Sequence, residues 1–168
     1  MDVYQAILDR QSIRTYDDKD VENEKLEKVA QAFRMAPSAR NLQDRKLLVI
    51  KDQKTKELIR LTSPSKAAML SEAPAILIAV GFDKGVMTCG HRADTVNLSI
   101  AMSFALLEAF ELGLGTCWMA NFKEKELKDV LGLPEEASIA AISPIGYAKE
   151  IPPKSSRKPL QEVYELRE

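Results

Sequence analysis

Arg10-Gln11-Ser12-Ile13-Arg14 puts two guanidinium groups and a hydroxyl into five residues. Each guanidinium is a planar fork of donors that suits phosphate or carboxylate. Two forks just past a helix end form a natural holder for a phosphorylated ligand. Read alone, the stretch is better explained as a solvated charge cluster, with Arg10 and Arg14 paired to Asp9, Asp17 or Asp18. Its neighbours narrow the choice. Before it, Val3, Ile7 and Leu8 fall on one helical face that Asp2 can cap. After it, Val21-Glu22-Asn23-Glu24 opens a helix through Leu26, Val29, Ala30 and Phe33, with Asn23 as N-cap. Pro37 ends that helix, because the residue before a proline is pushed out of the α region.

Two further stretches carry ligand chemistry. Pro37-Ser38-Ala39-Arg40-Asn41-Leu42-Gln43 is a loop of small polar residues. Small side chains let backbone N–H groups approach a ligand, and Asn41 and Gln43 offer donors and acceptors. Near the C-terminus, Pro152 to Pro159 is extended and basic, with Arg157 and Lys158 as a third cationic site.

Between them the pattern alternates. Lys46–Ile50 reads as a strand, Asp52 to Leu61 as a helix and Lys66 to Glu72 as a short helix. Ala75–Val80 is continuously apolar, as in a central strand covered on both faces. Ala93 to Leu112 is the longest helical pattern and apolar nearly all round, so it must be buried, partly against a second subunit. Gly113 closes it. Thr116–Met119 reads as a strand and Lys123–Leu131 as an amphipathic helix stopped by Gly132 and Pro134. Ile139–Tyr147 is a strand interrupted at Pro144 and Gly146, where a bulge or close backbone approach is expected.

Composition sets the class. The 168 residues are 45% hydrophobic and 29% charged, with a net charge of −1, which fits one domain spanning residues 1–168 with a real core. The balanced charge argues against nucleic acid. Cys89 and Cys117 imply neither a disulfide framework nor a metal site, and suit a reducing compartment. Met1-Asp2-Val3-Tyr4 lacks a signal-peptide pattern, and Ala73 to Val80 is too short a run for a membrane span; the expectation is a cytoplasmic protein. Gly113-Leu114-Gly115 is a helix stop and turn, not a dinucleotide fingerprint. His91 is the sole histidine, Cys117 reads as a core thiol, and no hydrolytic triad is visible. An enzyme built this way relies on a cofactor for reactivity and has no side-chain catalytic residue.

These pieces, in this order, resemble the nitroreductase family of FMN-dependent oxidoreductases. "Arg-Gln-Ser-Ile-Arg-Thr-Tyr" is similar to the family's opening signature, "Pro-Ser-Ala-Arg-Asn-Leu-Gln" to its Pro-Ser-Ala-x-Asn-x-Gln loop, and "Glu-Leu-Gly-Leu-Gly-Thr-Cys-Trp-Met" to the end of its central helix and the following strand. "Ile-Gly-Tyr" and "Ser-Arg-Lys-Pro-Leu" resemble its C-terminal cofactor segment. The resemblance implies an α+β fold, with a central, largely antiparallel or mixed sheet wrapped by helices. It implies an intertwined homodimer with two FMN sites at the interface. It assigns Arg10, Ser12 and Arg157 to the FMN phosphate and ribityl chain and Arg14 to the pyrimidine edge of the ring. Pro37, Ser38, Ala39 and Asn41 would come from the partner subunit, and Ile145 and Gly146 would offer backbone groups near N5. The implied reaction is ping-pong: NADH or NADPH reduces the flavin, and a nitroaromatic, quinone or related acceptor reoxidises it.

Three features depart from the family pattern. Asp44-Arg45 stands where many members have Pro-Trp, Asn97 aligns where many have an acid, and the short chain leaves little room for helices that roof the channel. Specialised chemistry within the family (flavin fragmentation, dehalogenation) and a flavin-binding module without turnover therefore stay open. A flavodoxin-like carrier fits worse, since the first strong strand comes only near Leu47 rather than before a phosphate loop.

Overall fold

In the computed structural model, which describes residues 2–168, four strands form one antiparallel sheet; Met1 lies outside the described residues. The strands are β1 (Arg45–Ile50), β2 (Ala75–Gly81), β3 (Gly115–Thr116) and β4 (Ser138–Gly146), in the order β1-β2-β4-β3. Six helices surround them: α1 (Val3–Asp9), α2 (Asn23–Met35), α3 (Gln53–Thr62), α4 (Met69–Glu72), α5 (Ala93–Glu111) and α6 (Glu124–Leu131). This is the expected α+β class.

Every residue of β2 is buried. Successive side chains of a strand point to opposite faces. Leu77 and Ala79 pack towards α2 and α5, among Val29, Phe33, Leu98 and Met102. Ile76, Ile78 and Val80 pack towards α3, α4 and α6, among Ile59, Leu70 and Leu127. The unbroken apolar run thus reflects helices on both faces of an antiparallel sheet.

Two expected interruptions move. β4 is continuous through Pro144, which lies opposite Ile76; the irregularity falls at Ala140, because Ala79 pairs with Ala141 and Val80 with Ile139. That extra residue lets Ile139 and Ile142 share the α6 face. The strand expected over Thr116–Met119 pairs only at its start. The Cys117 N–H donates to the buried Ser143 hydroxyl at 3.2 Å, and Met119 then rejoins β4 at Ile142.

At the start of α2 the cap position belongs to Glu22, and Asn23 is the first helical residue. The Glu22 carboxylate accepts from the Tyr147 hydroxyl at 2.7 Å, and that bond is the main reason its pKa falls to about 2. Lys25 Nζ donates to the same hydroxyl and to the Leu112 carbonyl, each at 2.9 Å. One cluster therefore ties together the start of α2, the end of α5 and the residue after β4.

α5 is long and apolar enough, by composition, to cross a bilayer. Here its inner stripe, including Leu98, Met102, Ala105 and Ala109, packs on α2 and the sheet. On its outer stripe Ser103 and Phe104 are exposed. The apolar face of α1 is likewise uncovered: Val3, Tyr4, Ile7 and Leu8 are exposed and only Ala6 is buried. The arm from Pro153 to Glu168 is exposed throughout. A compact monomer of this mass exposes about 8,300 Å²; this chain exposes 10094 Å².

Candidate functional site

α1 ends at Arg10, whose backbone N–H closes the last turn on the Ala6 carbonyl at 2.9 Å. The chain then runs along the sheet edge. Ser12 bridges Thr116 in parallel, and the Ile13 N–H donates to the Thr116 carbonyl at 2.8 Å. That approach demands glycine at position 115, since a Cβ there would lie 2.8 Å from the Ile13 Cβ. Tyr16 anchors the far end: its buried hydroxyl donates to the Ile13 carbonyl at 2.8 Å, and burial pushes the phenol pKa up.

This layout delivers Arg10 and Ser12 to two adjoining clefts of about 580 and 560 Å³. Both are lined by Ile7, Arg10, Ser12 and Arg157, so the two ends of the chain converge. Arg14 and Pro152–Ser155 complete the first. Ser99, Ser103, Leu106 and Leu107 of α5, with Trp118, complete the second.

No carboxylate lines either cleft. Among the described residues, the Arg10 side chain has no hydrogen-bond or ion-pair partner. Arg14 reaches only the Ser12 carbonyl at 3.4 Å, and Arg157 only the Ser155 and Ser156 carbonyls at 3.4 and 3.1 Å. Asp9, an expected partner, is instead taken by Lys154 and Gln5, which hold its carboxyl below the usual range. Three cations without counter-charge repel one another, and a multiply charged anion relieves that repulsion through charge-assisted hydrogen bonds. The second cleft is of another kind. The Ser99 and Ser103 hydroxyls donate back into their own helix, to the Thr95 and Ser99 carbonyls at 2.7 and 2.8 Å. They leave a small, satisfied surface beside the half-exposed indole of Trp118.

The Pro37–Gln43 loop lies elsewhere: Pro37, Ser38, Ala39 and Asn41 line neither cleft. It is built as a strained, tied-down turn. Arg40, Asn41 and Gln43 have φ of 53°, 55° and 53°, a left-handed conformation that costs a non-glycine residue about 1–3 kcal/mol. The Ala39 N–H donates to Asn97 Oδ1 at 2.9 Å, the Gln43 N–H to Ser38 Oγ at 3.1 Å, and the Arg45 guanidinium to the Pro37 carbonyl at 3.0 Å.

The expected backbone donors Ile145 and Gly146 are not brought to the clefts. β4 is an interior strand, with Ile145 between Ala75 and Thr116, so its backbone groups face the ladders on both sides. Ile145 is wholly buried, and a Cβ on Gly146 would meet Pro74 Cδ at 2.5 Å.

Residues 2–168 match the sequence model of a family described as "Putative TM nitroreductase". The chain belongs to the nitroreductase family. A relative from Archaeoglobus fulgidus, named "Putative NADH dehydrogenase/NAD(P)H nitroreductase", is 30% identical over 150 residues, which cover 86% of this chain and 84% of that protein. A solved nitroreductase family protein from Clostridium difficile 630 superposes with a TM-score of 0.84 at 30% identity, covering 98% of each chain. A second solved structure, "FMN-dependent Nitroreductase" from C. difficile R20291, gives a TM-score of 0.76 at 30% identity over 91% of each chain.

In this family member the cleft residues that sequence reasoning missed include Trp118, Ser99 and Ser103. The signals were present: a lone tryptophan just past a short strand, and two serines one helical turn apart in an otherwise apolar helix. What was missing was knowledge of which side of α5 faces the sheet. A buried carboxylate at the start of α5 was also missed. Burial alone would raise the Asp94 pKa, but the Arg92 guanidinium, the Ser138 hydroxyl at 2.6 Å and the Thr95 N–H override it and hold the carboxyl at about 2.

Proposed function

We propose that this protein is a homodimeric FMN-dependent oxidoreductase that takes electrons from NADH or NADPH. It passes them to nitroaromatics, quinones or related acceptors by alternate use of one site. The observation that carries the reading is the convergence of Arg10, Arg14 and Arg157, all without carboxylate partners among the described residues, on one cleft that adjoins a second, shared by Arg10 and Arg157 and walled by Trp118. A relative carrying the name FMN-dependent nitroreductase supports the choice of cofactor.

The residues fit FMN by charge and shape. Its phosphate carries about −1.5 to −2 at neutral pH, which Arg10 and Arg157 match with forked donors while the unbonded Ser12 hydroxyl adds a third. Trp118, Leu106 and Leu107 offer an apolar wall suited to a planar ring. Arg14 brings positive charge to the pyrimidine edge, which favours the reduced, more anionic cofactor. When bound, FMN supplies the electron-transfer chemistry, so the chain needs no nucleophile of its own. Pro37, Ser38, Ala39 and Asn41 reach the site from the partner subunit. The uncovered faces of α1 and α5, the exposed arm and the excess surface area are what a paired protomer would cover.

The test begins with purified protein, examined for flavin colour and, if colourless, reconstituted with FMN. Anaerobic NADH or NADPH should bleach the flavin, and an added quinone or nitroaromatic should restore it. Sedimentation should give twice the chain mass. A colourless protein that cannot be reconstituted would refute the proposal, and bound FMN with no NAD(P)H oxidation would assign a flavin-binding module instead.

A further inference from the structure

Arg45 and Asn97 both stand where the sequence departs from the family pattern, and both grip the same loop. Arg45 opens β1, and its guanidinium turns back over the end of α2. Nη1 donates to the Pro37 carbonyl at 3.0 Å, while Nη2 donates to the Arg34 carbonyl at 3.3 Å and to the Ala36 carbonyl. Carbonyls at a helix C-terminus lack partners within the helix, and a cation there also meets the negative end of the helix dipole. The guanidinium carbon lies 5.6 Å from the centre of the Phe33 ring, which fixes the fork's plane. From the other side Asn97, buried on α5, accepts the Ala39 N–H at 2.9 Å. The left-handed residues Arg40, Asn41 and Gln43 follow directly after the gripped Ala39, in the stretch that leads to Arg45 itself. Such a conformation persists only where its surroundings over-determine it.

We infer that Arg45 and Asn97 are positioning residues. From outside the cofactor site they set the shape of the Pro37–Asn41 loop, and so the half of the FMN site that one protomer presents to its partner. The inference rests on the proposed FMN function. It assigns a role to the two departures: in this chain a three-carbonyl arginine clamp and a neutral amide hold the loop. The chemistry of each grip differs. A lysine at 45 can reach one carbonyl but cannot fork across three. An aspartate at 97 keeps an oxygen for the Ala39 N–H, whereas alanine removes it.

The experiment compares Arg45→Met, Arg45→Lys, Asn97→Ala and Asn97→Asp with the wild type in the full-length protein. Arg34→Ala is the control, since that side chain bonds only to Gln31. FMN dissociation constants are measured well below each apoprotein's melting temperature. Asn97→Ala and Arg45→Met should each weaken FMN binding about tenfold, the loss of one well-placed hydrogen bond's worth of preorganisation. Arg45→Lys should be intermediate, and Asn97→Asp and Arg34→Ala should stay near the wild type. Rescue by aspartate at 97 separates positioning from general destabilisation. If Arg45→Met fails to fold, the Asn97 pair still decides. Lowered melting temperatures with wild-type FMN affinity would overturn the inference and leave both residues merely structural. A wild type that binds no FMN would instead overturn the proposed function.

Discussion

Replacing Arg10 by alanine isolates the charge on which the cofactor assignment turns. Arg10 lines both clefts, and its side chain has no partner among the described residues. Its structural duty, closing the last turn of α1, belongs to the backbone N–H, which alanine keeps. The apoprotein should therefore melt within a degree or two of the wild type, helped slightly by relief of repulsion from Arg157. Binding should respond quite differently. A hydrogen bond to a charged group is worth about 1.5–3 kcal/mol, which corresponds to roughly a 10- to 150-fold rise in the FMN dissociation constant. The assay is a fluorescence titration of apoprotein with FMN at low and high salt. Because the lost interaction is ionic, the wild-type advantage should shrink as salt rises. Arg34→Ala should bind as the wild type does, since its side chain bonds only to Gln31 on the outer face of α2. An Arg10→Ala variant within twofold of both would refute the placement of the phosphate.

Three further outcomes follow from named contacts. The Asp94 side chain has no exposed surface and its carboxyl is held at about 2, below its unfolded value, so it contributes about 2 kcal/mol. That stability is complete above pH 4 and is lost as pH falls towards 2. Asp94→Asn should thus be less stable at pH 7, with the gap narrowing on acidification in melts run across that range; a constant gap would contradict the sign. Gly115→Ala places a Cβ against Ile13, should cost about 1–3 kcal/mol, and should weaken FMN binding by displacing Ser12, as melting and titration would reveal. Trp118 is the chain's one tryptophan, so saturation with FMN should quench most of the intrinsic emission. Full emission at saturation, checked by flavin anisotropy, would remove Trp118 from the ring wall.

Much of the fold could be read from local pattern because the causes are local. Asp2 and Asp52 cap α1 and α3 through N–H bonds to Gln5 and Thr55, as short acidic side chains before a helix do. Gly113 and Gly132 take the left-handed angles that stop α5 and α6. The site was legible in part for the same reason: Arg10, Ser12 and Arg14 are neighbours in the chain, so one short stretch of backbone along the sheet edge delivers them together. Arg157 joined them only through resemblance, since nothing in its own segment says where an exposed arm will lie.

The sequence by itself determined where most of the helices and strands lie, that β2 is central, and that cationic forks await an anion. These follow from periodicity, caps and residue chemistry within a few positions. Tertiary structure alone decided that Asp9 is spent on Lys154, leaving Arg10 free, and that the irregularity of β4 falls at Ala140. It also decided that Ile145 is sealed in the sheet while Trp118 opens onto the cleft, and that Arg45 and Asn97 grip one loop from opposite sides. Each of these depends on which groups compete for the same partner across long stretches of chain, and that competition is settled only when the elements pack.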